Sequence, residues 1–326
     1  MTAAEPLMLA DDIRDGRAWR RETLSPRDWL VAMSPRCLEE LDAAVAELRR
    51  NPLPTLLLSP TTSPLSACAE LMGHVGARLR DGIGLAVVSR IPVERYEAEE
   101  NRALCWLPSQ LLEQPVAQAW NGAMLYDVRD TGRALEYGVR RSITNLDLTF
   151  HTDGPWLDVP PHFVGLYGIN PAQEGGVSRF VSLCTVHNEL RRRHPRLLVA
   201  PLPALSLGSA GRARSGDAKT GAQPVFEYDG RALRRTLQRA VDRNGAELTG
   251  TPLDAESRDS LAAMRASVDS PDLWVEFTIE RGQIQYLNNR VFAHSRTDFQ
   301  DAPEPERKRH LIRVWTREEG RRTFYP

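Results

Sequence analysis

A mainly β fold with flanking helices (α+β) is predicted by three observations. Short apolar or alternating runs at 124–128, 146–151 and 163–168 are separated by Gly, Pro and Asp, the spacing of an all-β core with two facing sheets. A second set of extended runs follows at 275–279, 284–287 and 309–315. Helix-period patterns are confined to the first eighty residues and to the interval between the two sets, so helices cover a jelly-roll-like barrel rather than alternate with its strands.

The elements follow in order. Leu38, Leu41, Val45 and Leu48 form one apolar stripe of a helix over 37–48, which Pro52 and Pro54 end. A second helix is expected over 65–80, and Gly82-Ile83-Gly84-Leu85-Ala86-Val87-Val88 supplies a strand. Residues 187–270 form an insertion. It starts in a charged helical stretch carrying His187 and His194, whose polar face is expected to be solvated. The segment 208–221 has almost no apolar content, so it is expected to be a mobile loop, either a plain surface loop or a lid over a site. Helices are expected at 229–243 and 254–267, packed outside the core. The chain reads as one domain, 1–326, whose N-terminal portion, 1–80, is helical.

Composition bounds the function. Hydrophobic residues make up 41% and charged residues 26%, ordinary for a globular protein with a sizeable core. A formal net charge of −1 gives no sign of a nucleic-acid partner or an anionic membrane surface. Cys37, Cys68, Cys105 and Cys184 are widely spaced, which suggests neither a zinc site nor a disulfide framework and fits a reducing compartment. The N-terminus lacks the basic and apolar regions of a secretory signal, and no apolar run approaches the ~20 residues that span a bilayer. A cytoplasmic enzyme with a small-molecule substrate is the expectation; the sequence does not set its oligomeric state.

The chemistry begins at Thr149-Phe150-His151-Thr152-Asp153. In an extended segment, residues i and i+2 project from one face, so His151 and Asp153 offer an imidazole and a carboxylate to the same point. A second imidazole from elsewhere would complete a set with open positions opposite, the arrangement suited to non-heme Fe(II) and oxygen. Far downstream, Asn288-Asn289-Arg290 reads as a turn leading to His294. In the strand that follows, Arg309, Leu311 and Arg313 share one face. Two guanidinium groups turned into one interior need anions, and an oxo-acid is such an anion.

With these residues in order, the stretch from about Asp81 to the C-terminus resembles the taurine dioxygenase and clavaminate synthase-like family of Fe(II)- and 2-oxoglutarate-dependent oxygenases. The resemblance implies a distorted double-stranded β-helix with iron held between the sheets by His151, Asp153 and His294. It implies that Arg309 grips the distal carboxylate of 2-oxoglutarate, helped by the hydroxyl of Ser178 in Gly175-Gly176-Val177-Ser178. Arg313 resembles the position that contacts an anionic group of the substrate. Iron, 2-oxoglutarate and O2 would then oxidise an unactivated carbon, with succinate and CO2 as co-products and hydroxylation as the default outcome. Halogenating relatives lack the carboxylate ligand, so Asp153 argues against halogenation.

Asp147 and Thr149 share a strand face with His151 and, with Arg313 and Trp156, sketch a pocket for a zwitterionic, amino-acid-like or carboxylate-bearing metabolite; Tyr126 is a further candidate. His162, after Pro160-Pro161, is the rival ligand, and His310 faces away from Arg309. Two other classes use the same residues differently. A Zn²⁺ hydrolase or isomerase has no evident need for Arg309 beside Ser178. A non-catalytic ligand-binding relative would keep the fold without turnover.

Overall fold

Two β-sheets carry the molecule in the computed structural model, which describes residues 9, 11–62, 64–136, 139–155, 157, 159–194, 205–208, 220–223, 226–228, 233–235 and 255–324. The larger sheet contains β1 (Leu30–Val31), β2 (Leu85–Val88), β3 (Gln114–Val116), β4 (Leu125–Val128), β6 (Phe163–Asn170), β14 (Ile284–Asn288) and β17 (His310–Arg317). Its order is β1-β2-β14-β6-β17-β3, with β4 also paired to β17. The smaller sheet is ordered β13-β8-β15-β5, from β13 (Trp274–Phe277), β8 (Ser178–Ser182), β15 (Phe292–Arg296) and β5 (Leu148–His151). The β1/β2 pair is parallel and the pairs that hold both sheets to the site are antiparallel. This is the expected mainly β fold with flanking helices.

Strand alternation divides the interior in two. Leu85 and Val87 of β2, Leu287 of β14 and Trp315 of β17 meet Phe150, Phe180, Val275 and Ala293 of the smaller sheet in one cluster. The alternate residues Ala86, Val88, Ile284, Tyr286, Ile312 and Val314 point the other way, against helices. A side-chain period of two on strands covered on both faces produces this split. Burying each large apolar side chain contributes about 1.5–3 kcal/mol.

The covering helices are α2 (Pro35–Arg50), α3 (Ser66–Arg80) and α4 (Ala98–Gln110), preceded by the short α1 (Pro26–Trp29). Ser34 caps α2 by accepting from the Cys37 amide, and Pro35 occupies the first helical position. The buried stripe of α2 is Cys37, Leu41 and Val45. Leu38 and Leu48, expected inside it, are half-buried, so the stripe lies one residue off the predicted one. The spacing of the cysteines hid a contact between helices: Cys37 Sγ and Cys68 Sγ lie 2.7 Å apart, both buried and both free thiols.

The insertion departs most from expectation. In α5 (Leu183–Arg193), His187, Asn188 and Glu189 are buried rather than solvated; His194 is exposed. The irregular N-terminal segment lies against this face. Asn188 accepts from the Ile13 amide and donates to the Ile13 carbonyl, Thr185 donates to the Trp19 carbonyl, and Glu189 pairs with Arg20, Arg192 and Arg193. Polar residues that satisfy an irregular backbone look like a solvated face when only periodicity is read. β9 (Leu205–Gly208) pairs with β10 (Thr220–Gln223), so both ends of the expected loop 208–221 are paired strands; 209–219 lies outside the described residues. β11 (Glu227–Tyr228) pairs with β12 (Leu233–Arg235), where a helix over 229–243 was expected; β-pairing wins in the described part. The expected helix at 254–267 is present as α6 (Ala255–Val268), which packs on the core through Leu261, Met264 and Val268. Among the described residues no helix is long and apolar enough to cross a membrane.

Candidate metal centre

The three predicted ligands converge. β15 lies beside β5 with His294 directly opposite His151, and their ring centroids are 4.3 Å apart. His151 Nε2 is 3.7 Å from Asp153 Oδ1. One ligand atom from each of His151, Asp153 and His294 lies within 4.8 Å of the others, room for a single ion bound at ~2 Å from each.

The surroundings prepare these groups as ligands. His151 Nδ1 is 2.8 Å from the Thr149 carbonyl oxygen; donation there fixes the tautomer that leaves the Nε2 lone pair for a cation. His294 is 9% exposed, and burial, followed by the neighbouring His151, pushes its pKa down to about 3, so the ring is neutral, the form that binds metal. Asp153, 2% exposed, accepts from Trp315 Nε1 at 2.9 Å and from Arg313 Nη1 at 3.1 and 3.3 Å. Asn289, in the turn before β15, clamps the backbone of the same residue. Its Oδ1 accepts from the Asp153 amide at 2.8 Å, and its Nδ2 donates to the carbonyls of Asp153 and Pro161. The sequence presented Asn289 only as a turn residue.

A cavity is lined by His151 and His294 together with Ser178 and Phe180 of β8, Gln285 of β14, Leu311 and Arg313 of β17, and Arg309 just before that strand. Arg309 and Arg313 share the face that strand alternation predicted. Arg309 is 4% exposed, its amide donates to Asp301 Oδ1, and its Nη1 is buried without a hydrogen-bond partner. Burial, then the nearby Arg296, pulls its pKa down to about 9, the direction expected of a guanidinium that lacks a counter-anion. Gly176 makes space for it, and Gly175 lets the turn pass the Asp298 backbone. Gly176 has φ +66°, and a Cβ there would lie 3.3 Å from Arg309 Nε; Gly175, φ +72°, would put a Cβ 2.3 Å from the Asp298 carbonyl oxygen. Ser178, the first residue after this turn to enter β8, is buried at the cavity wall.

The substrate residues fare differently. Arg313 is buried, but Nε donates to Gln118 Oε1 and Nη1 to the ligand carboxylate, so it orients Asp153; only Nη2 is left without a partner. Asp147 is exposed and paired with Arg141 rather than buried. The pairing of β5 explains why the predicted face fails. His294 opposes His151 whereas Arg296 opposes Leu148, so β5 carries one extra residue in a bulge. Leu148 and His151 therefore both reach the cavity, and Thr149 serves the site through its carbonyl. Trp156 lies outside the described residues. Tyr126 sits against the site with the guanidinium carbons of both Arg313 and Arg140 5.0 Å from its ring. His162 is no ligand here: its Nδ1 meets Glu113 Oε1 at 2.7 Å and its ring stacks on Phe163. His310 points away, to Asp127.

Sequence reading also missed Arg296, Gln285 and Ser142, all cavity-lining. Arg296 gives its guanidinium to the carbonyls of Thr144, Leu146 and Thr297 and shares the Phe299 ring with Arg309. No motif marks these three; only the sheet register brings them in.

Comparison with known proteins agrees with this geometry. FR-33289 synthase from Streptomyces rubellomurinus is 23% identical over 312 residues, covering 94% of this chain and 90% of that protein. Two solved structures share the fold. An asparagine oxygenase in complex with Fe(II), 2S,3S-3-hydroxyasparagine and succinate has a TM-score of 0.66 at 19% identity, over 89% of this chain and 94% of that one. The non-heme iron oxygenase OrfP, in complex with Fe, succinate and (3R,4R)-dihydroxy-L-Arg, has a TM-score of 0.63 at 15% identity, over the same shares. The family model described as taurine catabolism dioxygenase TauD, TfdA family, matches residues 59–315, which contain every ligand and pocket residue above. The chain therefore belongs to the TauD/TfdA family and is an Fe(II)- and 2-oxoglutarate-dependent dioxygenase.

Proposed function

We propose that this dioxygenase hydroxylates an unactivated carbon of a small, carboxylate-bearing, amino-acid-like metabolite. His151, Asp153 and His294 would hold Fe(II), and Arg309 with Ser178 would seat the distal carboxylate of 2-oxoglutarate. The bound iron supplies oxygen activation coupled to oxidative decarboxylation of the keto-acid, with succinate and CO2 released. The chain's own residues supply placement. Thr149 holds the His151 tautomer, Trp315 and Arg313 aim the Asp153 carboxylate, and the buried Arg309 offers the co-substrate a planar, charge-assisted contact that lysine would not match.

One observation carries the reading: an almost wholly buried guanidinium, its Nη1 without a hydrogen-bond partner, in a cavity that both histidines of the His-Asp-His triad also line. A zinc hydrolase would leave that charge buried for no purpose. For the substrate, the free Nη2 of Arg313 and the neighbouring Arg140 favour an anionic group, and two fold relatives were solved with hydroxylated amino acids. Four free, buried cysteines fit a reducing, cytoplasmic setting.

The test has two stages. Anaerobic addition of Fe(II) and 2-oxoglutarate should give a weak visible charge-transfer band that the Arg309→Ala variant loses. A panel of free amino acids and related carboxylates should then stimulate succinate formation for at least one compound, whose product gains one oxygen by mass. Absence of the band in the wild-type protein sinks the reading.

A further inference from the structure

Nine buried side-chain nitrogen or oxygen atoms lack a hydrogen-bond partner among the described residues, and six of them belong to the lining of this one cavity: Ser142 Oγ, Gln285 Nε2 and Oε1, His294 Nδ1, Arg309 Nη1 and Arg313 Nη2. Three of these residues already have a role. Gln285 does not. It is 0% exposed in the middle of β14, and neither end of its amide is satisfied. Its neighbours Ile284 and Tyr286 pack on the helix side of the sheet, so Gln285 takes the opposite, inward face. There it lies in one cross-strand row: Gln285 opposes Leu166, Leu166 opposes Arg313, and Arg313 opposes Tyr126.

Burying an amide with no partner is strongly unfavourable, whereas a leucine would fill the same interior position without penalty. An amide held there makes sense if a ligand completes it. The chemistry narrows the ligand. Besides Nδ1 of the metal-ligand His294, the other free groups in the cavity are guanidinium N–H donors and a hydroxyl, which call for an acceptor with several oxygens. A neutral amide adds N–H donors without supplying a negative charge that would satisfy Arg309 internally; a glutamate in this place would do that and would expel an anion.

We propose that Gln285 is a specificity-determining residue for the co-substrate: its side-chain amide donates to the distal carboxylate of 2-oxoglutarate seated by Arg309 and Ser178. The inference rests on the reading of Arg309 given above and extends it to a third group. It makes the pocket select a keto-diacid over a keto-acid of equal length with an apolar end.

Anaerobic calorimetry of the Fe(II)-loaded protein separates the possibilities, with 2-oxoglutarate and 2-oxopentanoate as probes. Gln285→Leu should weaken 2-oxoglutarate binding roughly 10- to 100-fold, the value of a hydrogen bond to a charged group, and leave 2-oxopentanoate binding unchanged. Gln285→Glu should weaken 2-oxoglutarate further. In steady state the leucine variant should show a raised KM for 2-oxoglutarate with kcat nearly unchanged. Its ligand-free form should melt at a temperature equal to or above the wild-type's, because two unsatisfied atoms are gone; a structural role for the amide predicts the reverse. Unchanged 2-oxoglutarate affinity in Gln285→Leu, or equal losses for both probes, overturns the proposal. Arg309→Ala keeps the two readings apart: if it loses 2-oxoglutarate while Gln285→Leu does not, only the role of Gln285 fails, and if it binds normally both fall.

Discussion

Removing the Asn289 side chain tests whether the ligand carboxylate is held by its backbone clamp. The side chain makes three buried hydrogen bonds, at 2.8 Å from the Asp153 amide and at 2.9 and 3.0 Å to the carbonyls of Asp153 and Pro161. Each is worth about 0.5–1.5 kcal/mol net, and Asn289→Ala leaves their partners buried and unpaired. The loss should come to ~3 kcal/mol, which in a chain of 326 residues lowers Tm by roughly 4–5 °C. Because the same clamp sets where the Asp153 carboxylate stands, Fe(II) affinity should also fall, by about 10- to 100-fold. Urea unfolding of the metal-free protein measures the first effect, and anaerobic Fe(II) titration the second. Asn289→Asp keeps the acceptor for the Asp153 amide but removes both donors, so it should fall between alanine and wild type in metal affinity. Metal-free stability within ~0.5 kcal/mol of wild type together with unchanged Fe(II) affinity would falsify the clamp.

Gly176→Ala should raise KM for 2-oxoglutarate more than it lowers Tm, because its Cβ would meet Arg309 Nε at 3.3 Å on a backbone with φ +66°; equal effects on both would mean the glycine serves folding alone. Arg309→Lys should bind 2-oxoglutarate more weakly by about tenfold or more while Fe(II) affinity is kept, since one ammonium cannot reproduce the guanidinium fork. The pKa of Asp127 is held below its ordinary 3.8, first by the hydrogen bond from His310 and then by Arg102. A depressed folded pKa gives stability that is present above pH 3.8 and is lost as pH falls through the lower folded value, so Asp127→Asn should flatten the acid side of the stability curve measured by urea unfolding. Mild oxidation with hydrogen peroxide should join Cys37 and Cys68, whose sulfurs are 2.7 Å apart; two free thiols in peptide mass spectra after such treatment would show that the helices keep them unreactive.

Residues that act within a single element were legible in the sequence. His151 with Asp153, and Arg309 with Arg313, needed only the direction of side chains on an extended chain, and both pairs meet at one site. Groups whose role depends on a partner strand were not. Asp147 and Thr149 were placed on the His151 face by counting in twos, and a bulge against β15, which no local pattern in β5 records, moved them off it. The same blindness made α5 look solvated on the face that carries Asn188 and Glu189, because their partners lie some 170 residues away in the N-terminal segment. Arg296 and Gln285 gave no signal at all, since neither has a like residue on its own strand face, as Arg309 has Arg313, and only the sheet register turns them inward.

What these hidden residues share is the sign of the interior they build. The described lining of the cavity that includes His151 and His294 has arginines, an amide and hydroxyls, and its residues include no aspartate or glutamate; the one carboxylate at its border, Asp153, is taken up by Trp315 and Arg313. A protein that buried three arginines merely for stability would have paired them, because uncompensated guanidinium groups are unfavourable inside a fold. Arg296 shows how that is done, with carbonyl oxygens from Thr144, Leu146 and Thr297. Arg309, which lines the same cavity from the larger sheet, has its Nη1 left open. The difference between those two arginines is thus the physical ground for the proposed anion site: the guanidinium of Arg296 is closed by the fold, and that of Arg309 is not.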